Sequence, residues 1–274
     1  MPEETTAEYE IGQLIAPTEL RTRLKITVAC KTDLGRVREN NEDKFEYYLP
    51  EDDATLAARG LVFLVCDGMG GHAAGQIASE LACKTFIDVY LHHPSAETDV
   101  ALRAAVTAAN RFVTDVSRAV PARRGMGTTL SALALVQDKA FTVQVGDSRI
   151  YRLRRGELLQ MTMDHTWVEE MVRSGMITYE EAENHPRKHM LTRAIGAEGE
   201  VQPDIELHDI QKGDLYMLCS DGLINHTTDD VIANLLANHP PSEAVWKLVG
   251  HALTNGGSDN TTVMVVRVDD IGPA

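Results

Sequence analysis

Leu61-Val62-Phe63-Leu64-Val65-Cys66-Asp67-Gly68-Met69-Gly70-Gly71 is a continuous apolar run that stops on an aspartate and is followed by three glycines within four residues. An apolar run of this length, rich in Val, Leu and Phe and closed by Gly, reads as a strand buried on both faces. Asp67 then sits at the rim of the core, where an unpaired charge is costly, and the glycines let backbone carbonyls turn toward a ligand beside it. Taken alone, Asp67-Gly68 reads more simply as a turn between two strands. The pattern recurs, however. Leu215 to Gly222 is a second apolar run that ends on Asp221-Gly222, Asp147 closes Phe141-Thr142-Val143-Gln144-Val145-Gly146, and Asp259 precedes the apolar run Thr261 to Val268. Four strand-edge aspartates flanked by Gly or Ser point to one site gathered from distant segments. Carboxylates brought together repel unless a cation neutralises them, and an all-oxygen donor set favours Mg²⁺ or Mn²⁺ over zinc.

Outward from these acids, the chain alternates strands and helices. Strands are expected at Leu24–Lys31 and Phe45–Leu49, the latter followed by an acidic loop. Helices are expected from Ala74 to Tyr90 and again after an N-cap at Asp99, where Leu102, Val106, Ala109, Val113 and Val116 share one face. Thr128–Val136, Ala140–Val145, Ser148–Leu153 and Glu157–Met161 read as four short strands of an antiparallel meander. Asp164 to Gly196 interrupts the sheet with short helical pieces, one opened by a Thr178/Glu181 capping box, and insertions of this kind serve as lids or flaps. Ile205–Leu207, Leu215–Ser220 and Thr261–Val268 return to strand, and Asp229–Ala237 and Ser242–Leu253 to helix. Two groups of strands with helices outside them give an α+β chain of two packed sheets.

Composition narrows the function classes. With 43% hydrophobic residues and 24% charged among 274, the chain buries a sizeable core and is read as one domain with an insertion. Its formal charge of −15 argues against nucleic acid or an anionic membrane as partner. The four cysteines lie in apolar runs without metal-ligand spacing, and no leader or membrane-spanning stretch is expected, so a cytoplasmic protein with reduced thiols is the simplest reading. Residues 1–21, with Glu3, Glu4, Glu8 and Glu10, read as a tail or peripheral arm before a domain over 22–270.

In chain order, Arg38-x-x-Asn41-Glu42-Asp43, Asp67-Gly68-Met69-Gly70-Gly71, Gly127-Thr128-Thr129, Val145-Gly146-Asp147-Ser148-Arg149, Ser220-Asp221-Gly222 and Ser258-Asp259-Asn260 resemble the metal-dependent protein phosphatase family, the 2C type of serine/threonine phosphatases. Met69 is similar to the bacterial branch. The resemblance implies an α-β-β-α sandwich of two antiparallel sheets flanked by helices, with a flap at about 164–196. It also implies two Mn²⁺ or Mg²⁺ ions per site and a weaker third. By motif position, Asp67 bridges both metals, the Gly68 carbonyl binds one, Asp221 and Asp259 complete the other, and Glu42 and Asp43 contribute directly or through water. Asp147 with Asp221 suits the third metal, and Arg38 holds the substrate phosphate.

The implied activity is hydrolysis of phosphoserine and phosphothreonine on proteins through a metal-bridging water. The chain has neither a G-x-S-x-G elbow nor a phosphate-cradling Cys loop. The expected partners are phosphorylated proteins, substrates of a cognate Ser/Thr kinase, and a monomer without nucleic acid or membrane. Many eukaryotic members carry a His at the position of Met69 as a proposed general acid, so the leaving-group proton must come from elsewhere. His72, His165, His185 and His189 read as solvated loop or flap histidines without a role. Thr128 and Thr129 read as packing behind the site. The competing readings are a catalytically silent sensor on the same fold and a two-metal hydrolase of another phosphate ester.

Overall fold

The computed structural model describes residues 19–71 and 73–274. The expected arm over 1–21 therefore lies outside the described residues up to residue 18, as does His72. Five antiparallel strands form one sheet in the order β1 (Thr22–Asp33), β12 (Thr261–Pro273), β11 (Leu215–Cys219), β8 (Arg149–Arg154) and β9 (Glu157–Gln160). The facing sheet runs β10 (Asp204–Asp209), β7 (Lys139–Val145), β6 (Leu130–Val136), β3 (Leu61–Cys66) and β2 (Lys44–Tyr48). A short ladder pairs β4 (Gly68–Met69) with β5 (Gly127–Thr128).

Helices α2 (Ala73–His92) and α3 (Thr98–Ala119) cover the sheet that contains β3. On the outer face of the other sheet lie α6 (Asp221–Ile224), α7 (Asp229–Asn238) and α8 (Pro241–Thr254). The period-2 alternation of a strand explains the layering. Val62, Leu64 and Cys66 pack under α2 and α3, while Phe63 and Val65 meet Leu218, Met264 and Val266 between the sheets. Met217 and Cys219 likewise pack under α7 and α8, and Tyr216 and Leu218 turn inward. Both faces of each central strand are apolar because each touches a layer, which is why these strands appear in the sequence as unbroken apolar runs. Each fully buried large side chain contributes roughly 1.5–3 kcal/mol.

The expected α-β-β-α sandwich is therefore present, and three local expectations change. The four strands after Gly127 are not one meander. The β6–β7 hairpin belongs to one sheet and β8–β9 to the other, and the chain crosses between them at Gly146-Asp147-Ser148. Gly146 makes the crossing with φ +104°, at a point where a Cβ would lie 2.6 Å from the Thr129 side chain. Within the expected acidic loop, Asp53–Arg59 forms helix α1, which Asp52 caps by accepting the Thr55 N–H at 2.7 Å. The N-cap of α3 is Glu97, with Asp99 inside the first turn, where its charge still suits the helix dipole.

The insertion carries α4 (Trp167–Arg173) and α5 (Tyr179–Glu183), the latter opened by the expected capping box. Bridges Thr166↔Leu191 and Thr128↔Ile195 secure its base. All four cysteines are free, and burial pushes Cys30 up to about 11 and Cys219 up to about 12. Neither is a nucleophile at neutral pH.

Candidate metal centre

Asp67 emerges directly from the end of β3, and its main chain is fixed. Its N–H donates to Thr129 Oγ1 (2.8 Å), and its carbonyl accepts from Thr128 Oγ1 (2.9 Å) and Thr129 N–H (2.9 Å). Thr128 and Thr129 are buried and so lie behind the site, as their place at a strand start suggested. Only glycine fits at Gly68, because a Cβ there would lie 2.2 Å from the Gly75 carbonyl oxygen and 2.6 Å from that of Glu42. The loop bearing Arg38 to Asp43 is stapled to the start of β12 by buried Asn260. Its Nδ2 donates to the carbonyls of Leu34 (2.9 Å) and Asn40 (3.0 Å), and its Oδ1 accepts the Glu42 N–H (2.8 Å).

Asp221 opens α6 at the end of β11, and Ser220 just before it donates to Asp43 Oδ2 at 2.7 Å. The sheet crossing delivers Asp147. Its ligand atoms, those of Asp221 and those of His189 all lie within 4.8 Å of one another. Asp259 accepts from Arg38 Nη2 at 2.7 Å and from the Asn260 N–H at 2.8 Å. The structure thus draws Asp43, Asp67, Asp147, Asp221 and Asp259 to one end of the sandwich, with Arg38 on the outer side of Asp259. The Glu42 backbone is held by Asn260 and Ser79, and its carboxylate lies beside Gly75, 2.6 Å from where a Cβ would stand.

Electrostatics make this assembly incomplete without positive charge. Burial, together with Asp43, Asp221, Asp147 and Asp259, raises the Asp67 carboxyl well above the usual range. Burial likewise lifts Asp147 to about 8, reinforced by Asp221 and Asp164, and Asp43 to about 7. Burial opposes the charged form of Asp221, but the His189 imidazole 3.5 Å away, together with hydrogen bonds from Asp67 and Asn225, holds that carboxyl low. Asp43 Oδ1 and Asp221 Oδ1 are buried without a hydrogen-bond partner. Orphaned carboxylate oxygens among converging aspartates fit hard divalent cations.

The histidine reading needs correction. His165 is only 3% exposed: its Nδ1 accepts the Gly146 N–H (3.2 Å), and its Nε2 meets Asp204 (3.0 Å), bracing the crossing that carries Asp147. His189 reaches Asp221 from the flap. Of the expected solvated set, His185 packs against Trp167 at the flap surface in a tilted arrangement, 4.8 Å between centroids. Nothing local in the sequence marks His165 or His189, since each meets its partner only through the fold. A groove of about 1260 Å³ opens beside Asp147 and Asp221, walled by Tyr179 and Lys188 of the flap and by His226 and Asp229 opposite. The Arg149–Asp164 ion pair, 2.7 Å, anchors the flap's first residue to β8.

A sequence model described as Protein phosphatase 2C matches residues 40–260. The chain is 38% identical over 250 residues to the serine/threonine protein phosphatase PstP of Mycobacterium tuberculosis, covering 91% of this chain and 46% of that protein. It thus spans about half the length of that curated relative. The serine/threonine phosphatase stp of Listeria monocytogenes is 36% identical over 244 residues, 87% of this chain and 94% of that one. Among solved structures, the serine/threonine phosphatase of S. agalactiae superposes with a TM-score of 0.82 at 33% identity, covering 89% of this chain and 100% of that one. The catalytic domain of PstP in complex with two manganese ions gives a TM-score of 0.78 at 38% identity, over 90% and 100% of the two chains.

Proposed function

The chain belongs to the protein phosphatase 2C family and carries its serine/threonine phosphatase domain, and on that premise we propose that it removes phosphate from phosphoserine and phosphothreonine in proteins. The observation that carries this reading is the convergence of five buried or half-buried aspartates, two with orphaned oxygens, of which Asp147 and Asp221 line a groove of about 1260 Å³. In this reading Asp67, the Gly68 carbonyl, Asp221 and Asp259 hold two Mn²⁺ or Mg²⁺ ions, with Glu42 and Asp43 supporting them directly or through water. Asp147 and Asp221 hold a weaker third. Divalent cations, when bound, lower the pKa of water and offset phosphoryl charge, which removes the need for a protein nucleophile.

The protein's own groups do the positioning. Gly68 and Gly75 let the Asp67 and Glu42 segments approach, and Asn260 fixes the Arg38 loop against β12. Arg38 is about half exposed, and its guanidinium fork offers donors beyond the one engaged by Asp259, a geometry suited to two phosphoryl oxygens. The same reading makes phosphorylated proteins the partners, without nucleic acid or membrane, and places a monomeric chain in the cytoplasm. The net charge of −15 supports it, and among the described residues no helix is long and apolar enough to cross a membrane.

The test is metal-dependent phosphate release from a panel of phosphopeptides, and full turnover by chelator-treated protein overturns the reading. Arg38→Ala is expected to lower kcat/KM by about 10- to 150-fold for every peptide alike, equivalent to the ~1.5–3 kcal/mol of a charge-assisted hydrogen bond. Unchanged kinetics would remove Arg38 from the phosphate site. Substitutions within Thr178 to Lys188, along the flap wall of the groove, are expected to alter preference among phosphopeptides more than turnover of a small aryl phosphate. Equal losses on both would make the flap a support for the fold.

A further inference from the structure

We propose that His226 is a positioning residue for the cation site, holding the segment that carries Asp259 at a fixed distance from the segment that carries Asp221. The inference rests on the reading above, in which these two carboxylates serve the same cation. Asp221 opens a single-turn helix, and the chain leaves it through Asn225 and His226, whose N–H groups return to the carbonyls of Asp221 (2.9 Å) and Leu223 (3.1 Å). Across from it lies Gly256-Gly257-Ser258-Asp259, where Gly256 and Gly257 have φ of +141° and +57°. Two glycines in that region give the loop little rigidity of its own, so its shape depends on what holds it.

One side of the loop is held by backbone. Gly257 accepts the Arg36 N–H at 2.8 Å, and Gly35 packs so closely that a Cβ there would lie 2.3 Å from the Asp259 carbonyl oxygen. The Gly257 N–H also caps α8 at the Ala252 carbonyl (3.0 Å), and the Gly256 and Ser258 side of the loop is held by an imidazole. His226 Nε2 accepts the Ser258 N–H at 3.1 Å and lies 2.8 Å from Ser258 Oγ, and its ring covers Gly256 at a point where a Cβ would stand 2.7 Å from Cε1. Because a backbone N–H only donates, Nε2 is the acceptor in this pair. His226 is half-buried at the rim of the groove, and its ring contacts are with the loop at Gly256 and Ser258. Partners that orient metal ligands without touching the metal typically set 10- to 100-fold in affinity.

Mn²⁺ binding to chelator-treated protein, followed by the electron paramagnetic resonance signal of free Mn²⁺, tests this without reference to turnover. His226→Phe keeps a ring over Gly256 but removes the acceptor, and it is expected to weaken Mn²⁺ binding about 10- to 100-fold. His226→Gln, whose Oε1 can accept the Ser258 N–H, is expected to recover most of that loss. Wild-type affinity in His226→Phe, with Asp259→Ala clearly weakened, overturns the positioning role and leaves the ligand reading standing. Wild-type affinity in Asp259→Ala overturns the ligand reading and the proposal with it. Equal weakening in Phe and Gln, accompanied by a lowered melting temperature in both, makes His226 a packing residue only and also overturns the proposal.

Discussion

Asp67→Asn is expected to lower phosphate release on the order of 10³-fold, the upper range for removing one electrostatic group from a preorganised site, while the metal-free protein melts no lower than wild type. The two halves of this expectation have one cause. Asp67 lies among Asp43, Asp147, Asp221 and Asp259, which raise its carboxyl well above the usual range together with burial. Removing its charge relieves like-charge repulsion when no cation is present and removes a shared ligand when one is. The amide is close in shape to the carboxylate. The contacts that fix residue 67, with Thr128 and Thr129, run through its main chain and survive the change. Phosphate release with and without Mn²⁺, beside calorimetry of the metal-free protein, separates the outcomes. A melting temperature that falls along with activity would make Asp67 a structural residue.

Gly222→Ala is expected to damage both stability and cation binding. A Cβ at this position would lie 1.9 Å from the Asn260 carbonyl oxygen, a backbone atom with no rotamer through which to retreat. Gly222 has an ordinary negative-φ backbone, so the obstacle is steric alone. Relief requires α6 to move away from the start of β12, which separates Asp221 from Asp259. Overpacking of this kind costs about 1–3 kcal/mol, and the rigid contact places the change at the upper end. Gly250 serves as the control. It lies in α8 with nothing within 4 Å of its added Cβ, and Gly250→Ala is expected to stabilise by up to about 1 kcal/mol. Denaturant titrations and Mn²⁺ titrations of both variants decide the matter: equal behaviour of the two would mean that the α6–β12 approach carries no constraint.

Much of this architecture is legible in the sequence because the central strands β3, β11 and β12 are apolar on both faces and their runs end abruptly on acids. An apolar run interrupted by Asp is a local signal with a physical cause, the edge of a core. What the sequence hides is whatever depends on a distant partner. Gly146-Asp147-Ser148 reads like any tight turn, and its distant partners, Thr129 packed on Gly146 and His165 bonded to it, are what mark it as a crossing into the other sheet. Helix α1 is too short for a hydrophobic period and stands on the Asp52 cap and on Gly60, with φ +66° at its end. His165 and His189 sit in a polar insertion with no pattern around them, yet one is buried under the crossing and the other faces Asp221.

The long pairing of β1 with β12 has a consequence for how this domain is displayed. Thr22 lies opposite Pro273 at one end of the ladder, and Asp33 lies opposite Thr261 at the other. The Asp33 end adjoins Gly35, Arg36 and Asp259, so the acids gather there. Twelve residues of strand separate the two ends, roughly 40 Å at the usual ~3.3 Å per residue. The described chain therefore enters β1 at Thr22 and leaves β12 at Pro273 side by side, at the end of the ladder away from the acids. A segment that begins beside Thr22 or Pro273 must span about the length of this ladder to reach the acids, and a tether shorter than that cannot touch them.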